Sequence, residues 1–210
     1  LVNREIIPTT LSEAGMGFFG VLYPSESALL GYEVYVVNGF NEAAANRIRS
    51  GRGSQKKDNN EEKSIVGRTN YSPVLGLDLG ISGHFGAYDD AGRENLTIVA
   101  VDGSYNRGPW DARAEFAAAS VDGVADDVRS GYYAQLGYHF FPGAISTFPN
   151  SVFTISSRYD HIDLDSSDET RYTIGLNFRP EEETVMKLDY EIWDNADANT
   201  GVVLSVASYF

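Results

Sequence analysis

Apolar and polar side chains alternate with a period of two along nearly the whole chain, and clusters of Gly, Pro, Asn and Asp interrupt the alternation about every ten residues. Helical spacing is rare, so the pattern predicts an all-β, antiparallel chain. Strands are expected at Gly15 to Tyr23, Leu29 to Asn38, Ile65 to Pro73, Gly76 to Tyr88, Asn95 to Tyr105, Pro109 to Ser120, Ser130 to Phe141, Ser151 to Asp160, Thr170 to Arg179, Thr184 to Asp194 and Gly201 to Phe210, about eleven in all. Residues 1–14 read as loop.

One side of each strand is apolar. From Thr170 to Arg179 the even positions are Tyr172, Ile174, Leu176 and Phe178, and the odd ones Arg171, Thr173, Gly175, Asn177 and Arg179. From Thr184 to Asp194, Met186, Leu188, Tyr190 and Ile192 oppose Val185, Lys187, Asp189, Glu191 and Trp193. A soluble sandwich with one face in its core shows the same alternation, as does a transmembrane barrel with one face in lipid.

Composition narrows the function classes. The chain has 210 residues, 42% of them hydrophobic, which suffices for one folded domain over residues 1–210. A net charge of -14 argues against a nucleic-acid partner, which calls for clustered Lys and Arg. The absence of Cys removes disulfides, thiolate metal sites and Cys nucleophiles. No apolar run approaches the roughly 20 residues of a membrane-spanning helix. The chain opens with Leu1 and lacks the charged and apolar regions of a signal peptide, which suggests a processed protein or a fragment.

Two features favour the membrane barrel. Aromatics gather near strand ends, at Tyr132, Tyr138, Phe140, Tyr159, Tyr172, Phe178, Tyr190 and Phe210, where a barrel places its interfacial girdles. Short connections at Pro24, Pro73, Pro109 and Pro180 alternate with longer polar ones that collect acid, as short periplasmic turns and long outer loops would. At the C-terminus Val202, Leu204, Val206, Ser208 and Phe210 alternate to a terminal aromatic preceded by Tyr209. That ending resembles the assembly signal of bacterial outer-membrane barrels, with Val206, Tyr209 and Phe210 as its residues. The segments Leu1 to Thr10, Gly67 to Pro73 followed by Leu75-Gly76-Leu77, and Tyr172 to Phe178 resemble the phosphate-selective porin family and its general-porin relatives.

The resemblance implies an outer-membrane location in a Gram-negative bacterium, a homotrimer, contact with outer-membrane lipids and lipopolysaccharide, insertion by the barrel assembly machinery, and passage of small polar or anionic solutes. It implies no cofactor and no catalysis. Family members carry a signal peptide and several strands before the segment matching Leu1 to Thr10, so this chain is expected to be the C-terminal part of a longer porin. An odd strand count agrees, because single-chain bacterial barrels close with an even number.

Strand parity assigns Arg68, Arg113, Arg158, Arg171, Arg179 and Lys187 to the lumen, with Asn177 and the acids Glu33, Asp78, Glu115, Asp160, Asp189 and Glu191. With signs so mixed, wall charges that pair across strands are favoured over the basic ladder of the family. Residues 41–63 read as an outer loop with a helical turn capped by Asn41; Arg47, Arg49, Arg52, Lys56 and Lys57 would make it a basic lid or simply a solvated, mobile surface. Acidic stretches at Asp160 to Glu169 and Asp194 to Gly201 supply oxygen ligands for calcium but lack the full loop pattern. A catalytic Ser-His-acid set would need His161, Asp163 and Ser156 or Ser157 to converge. Three readings therefore stand: a water-filled porin, a structural or adhesive barrel with a packed lumen, and a soluble β-barrel binding module.

Overall fold

In a computed structural model, residues 2–8, 12–52, 63–125, 128–164, 168–194 and 200–208 are described. Eleven strands form, each at an expected place: β1 Gly15–Ser25, β2 Ala28–Val37, β3 Ser64–Val74, β4 Leu77–Ala87, β5 Asn95–Arg107, β6 Trp110–Val121, β7 Val128–Phe140, β8 Val152–Asp163, β9 Asp168–Glu181, β10 Thr184–Trp193 and β11 Gly201–Ser208. They make one sheet in sequence order, every neighbour antiparallel. Among the described residues nothing pairs β1 with β11, so the sheet is open at both edges.

The prolines expected at three turn tips sit instead inside strands. Pro24, Pro73 and Pro180 are each the penultimate residue of β1, β3 and β9, and the turns proper are Glu26–Ser27, Leu75–Gly76 and Glu182–Glu183. Pairing slips beside each proline, between Leu22 and Ser25, between Tyr71 and Val74, and between Thr184 and Met186. A proline has no N–H to give to the ladder, so the strand bulges there and, one residue later, enters its two-residue turn. Gly76 takes φ 87°, a left-handed conformation that suits glycine. At this end only the connection 141–151 is long; at the other end every connection is longer than two residues.

Register lays the apolar residues in rows. Trp110, Tyr138, Ile155, Leu176, Leu188 and Leu204 are successive cross-strand partners from β6 to β11. Each is at least 40% exposed, and Ile81, Val99 and Ile174 on the same face exceed 50%. Among the described residues no second sheet covers this face, so the sandwich reading has no partner layer there. An apolar face of that size is not stable in water and is suited to hydrocarbon.

The buried core lies on the opposite face and is small. A helix expected to be loop, α1 at Val2–Glu5, lies on that face beside the segment 40–52, which contains 3₁₀ turns at Glu42–Ala44 and Ile48–Gly51. Val2, Ile6, Phe40, Ala44 and Ile48 pack with Leu96, Ile98, Ala100, Ala117, Ala119, Val121 and Ile162, all under 8% exposed. The wall is built for close approach there. A Cβ on Gly131 would stand 2.7 Å from Ile162 Cγ2 and 3.2 Å from Val2 Cγ2, so a larger residue would lift α1 off the sheet.

Candidate functional site

The face bearing α1 and the 40–52 segment also carries the charges. Arg68, Arg113, Glu115, Arg158, Arg171, Asn177, Arg179, Lys187, Asp189 and Glu191 all share its parity, since register aligns Arg68 with Ser82, Ala100 and Ala117, and Glu115 with Tyr133, Asp160 and Arg171. Arg179 sits at the rim beside the Glu182–Glu183 turn, where its Nη1 donates to Glu182 O at 2.9 Å.

The centre of the face is an ion-paired chain across β8, β9 and β10. Asp160, fully buried, accepts from Arg158 Nε at 2.8 Å and Nη2 at 2.7 Å, and from Arg171 Nη2 at 3.2 Å. Arg171 Nη1 reaches Glu191 at 3.2 Å. Each guanidinium also lies over a ring, Arg158 over Tyr133 at 3.8 Å and Arg171 over Trp193 at 5.1 Å. Across β4, Arg68 of β3 grips Asp102 of β5 with two contacts of 2.8 Å. Planar guanidinium forks match carboxylates in this bidentate way, and the rings fix their orientation. The arrangement is a rigid polar wall with its main charges compensated.

The segment 40–52 departs from the outer loop expected for residues 41–63. Asn41 caps it as expected, its Oδ1 accepting from Ala43 N at 3.0 Å. The segment then turns inward because Phe40, Ala44 and Ile48, four residues apart, make an apolar stripe that fits the alanines and leucine of the wall. Three polar ties hold it. Arg129 Nη2 donates to Ala45 O at 3.0 Å, Arg47 pairs with Glu5 of α1, and Glu42 accepts from Asp90 N at 3.3 Å. Arg47 is thereby committed to α1 and Arg52 Nε to Arg49 O, so neither leads a basic lid. Lys56 and Lys57 lie outside the described residues.

On the opposite, apolar face aromatic rings collect in two rows. Tyr132, Tyr159 and Tyr172 stand 5.8 and 4.8 Å apart in one; Trp110 and Tyr138 at 4.8 Å, and Phe140, Phe153 and Phe178 at 5.9 and 4.7 Å, form the other. Six residues separate the rows on β7, β8 and β9 alike (Tyr132 to Tyr138, Phe153 to Tyr159, Tyr172 to Phe178), about 20 Å along a strand at ~3.4 Å per residue, so the apolar residues between them form a band of nearly constant width. Val206 lies on this face opposite Met186, while Tyr209 and Phe210 of the expected assembly signal lie outside the described residues.

The catalytic set does not assemble. His161 points to the apolar face, with Nδ1 3.0 Å from Thr170 Oγ1 and its ring against Tyr132; Ser156 belongs to the charged face, and Ser157, which like Asp163 shares the face of His161, lies four residues back along β8, roughly 14 Å at ~3.4 Å per residue. Asp160 is taken by two arginines and is not a calcium ligand; Asp165 and residues 195–199 lie outside the described residues.

A solved porin, refined at 1.8 Å, superposes on 96% of this chain with a TM-score of 0.62 at 12% identity. The fold is porin-like. The sheet spans 64% of that porin. An uncharacterised protein of Aquifex aeolicus (strain VF5) is 23% identical over an alignment of 234 positions, covering 93% of this chain and 52% of the relative, so the chain spans about half of that protein's length. No family model matches the chain.

Proposed function

We infer that this porin-like sheet is part of the wall of an outer-membrane channel through which small polar solutes or ions diffuse passively in a Gram-negative bacterium. The observation that carries this reading is the division of one sheet into an uncovered apolar face, bounded by two aromatic rows, and a charged face. Lipid solvates the first and water the second, and a hydrated polar wall lowers the barrier to solutes that bare hydrocarbon excludes. The segment 40–52 with α1 stands on the water side and narrows the passage.

Open edges at β1 and β11 would leave N–H and C=O groups unsatisfied in lipid, at several kcal/mol per group, so the same proposal has further strands of a longer single-domain barrel closing them. Homotrimeric assembly, contact with lipid and lipopolysaccharide, and insertion by the barrel assembly machinery belong to it. The phosphate preference implied by the family resemblance would have to come from Arg179 and Lys187, with the more exposed Arg113 held only at 3.4 Å by Asp111, because Arg68, Arg158 and Arg171 each hold a carboxylate more closely. The reading proposed is therefore a general channel.

Planar-bilayer recording on the full-length protein tests this. Discrete ohmic steps are expected. Because Phe40 and Arg52 already form a β-bridge, replacing residues 41–51 by a two-residue turn should keep the fold and raise the step by at least about twofold, as the passage widens. A folded protein that conducts in neither form would favour the structural barrel with a packed lumen.

A further inference from the structure

The segment 40–52 is anchored over a buried imidazole. His84 is 7% exposed, and Phe40 meets its ring edge-on at 4.9 Å. Its Nδ1 lies 3.3 Å from Leu96 O, and among the described residues its Nε2 has no hydrogen-bond partner. Beside it is a cavity of about 160 Å³ lined by Ile7, Pro8, Phe40, Val66, Ile98 and Ala100, with Ser82 and Gly83. The segment's root has the form of a hinge. Gly39 takes φ 87°, which favours glycine, and Arg52 bridges back to Phe40.

We propose that His84 is the proton-sensitive element of a gate: protonation of its ring releases the Phe40–Ile48 segment from the wall. A neutral ring needs only one donor, and Leu96 O can take it. An imidazolium carries two, and the second, on Nε2, has no acceptor among the described residues beside the Phe40 ring and a mostly apolar cavity. Burying that charge and donor without an acceptor is unfavourable, whereas the lifted segment opens the ring to water. The lifted state therefore gains as pH falls, by linkage between proton binding and conformation.

Among the described residues, those packed against the ring supply no compensating charge. From β3 the ring faces Ser64, Val66 and Arg68; from β5, Leu96, Ile98 and Ala100; from its own strand, Ser82 and Gly86; from the N-terminal segment, Ile7 and Pro8; from the gate, Phe40 with Arg52 across the bridge. Arg68 is turned to Asp102, and none of these positions is a carboxylate. The ties at Arg129, Arg47 and Glu42 do not involve His84 and set how far the segment must be pushed.

The gate's effect on conductance rests on the channel reading, but its movement can be read separately. The chain contains no Cys, so Ile48→Cys, 0% exposed beneath the segment, and Ser50→Cys, on its exposed side, can each report reaction with a water-soluble maleimide in the full-length membrane-assembled protein. The Ile48→Cys rate divided by the Ser50→Cys rate should rise at least about tenfold between about pH 7.5 and about pH 5. The ratio should stay level in a His84→Gln background, and in His84→Phe, which keeps a ring without a titratable nitrogen. A level ratio with His84 present, or an equal rise without it, would overturn the gate. Acid-dependent labelling of a protein that never conducts would defeat only the channel reading, and steady conductance with level labelling only the gate.

Discussion

Leu176→Arg should prevent assembly, and Asn177→Arg, one residue along β9, should not. Leu176 is 44% exposed on the apolar face, in the row that runs through Ile155, Leu188 and Leu204. It lies four residues from Tyr172 and two from Phe178, between the aromatic rows, so arginine there would sit in hydrocarbon at about 2 to 4 kcal/mol. Asn177 is on the charged face, opposite Lys187 and Thr154, where arginine meets water. Because the side-chain period is two, a register error of one residue would exchange the two outcomes. Heat-modifiable migration of the two variants after membrane assembly is the check, and Asn177→Arg should also shift reversal potentials toward anions.

Asp160→Ala should be the most damaging change on the charged face. Its carboxylate is fully buried between Arg158 and Arg171, and both would be left facing each other with Gln135 and Glu191 as side-chain hydrogen-bond partners among the described residues. Removing one partner of a buried ion pair typically destabilises by about 3 to 5 kcal/mol, and the low end applies because the two arginines are 26% and 20% exposed and water can reach them. Urea unfolding should show that loss. Any protein that still assembles should prefer anions more strongly than the original, having lost one negative charge beside two guanidiniums. Loss of stability without a change in ion preference would mean that this cluster is structural and not in contact with the permeant ions.

The strands were legible because alternation and turn residues are local signals. Even Leu176 and Asn177 can be assigned to opposite faces from parity alone. The turn tips were misread at Pro24, Pro73 and Pro180 because proline marks a turn and a bulge with the same residue, and only pairing separates them. The segment 40–52 was misread for a different reason. Its four arginine and glutamate side chains dominate the local composition, while its destination depends on Phe40, Ala44 and Ile48 finding a wall whose alanines lie some 70 residues later in the chain. The spacing of those three residues was the available sign. Arg129 carried no sign at all, since its role depends on a carbonyl 84 residues away. The pairing of Arg158 and Arg171 through Asp160 was expected in kind, from mixed charges sharing one face, but the stacking on Tyr133 and Trp193 follows only from register.

The central claim, that one face of this sheet meets water inside a channel and the other meets lipid, is tested most directly by single cysteines placed in turn at Arg171 to Phe178, in a chain that has none of its own. A charged, water-soluble thiol reagent added during single-channel recording should react at Arg171, Thr173, Gly175 and Asn177 and reduce the conductance step each time. Tyr172, Ile174, Leu176 and Phe178 should be inert to it and react only with a lipid-soluble reagent. Reaction at consecutive positions, or alternation with no effect on current at any of them, would contradict the account.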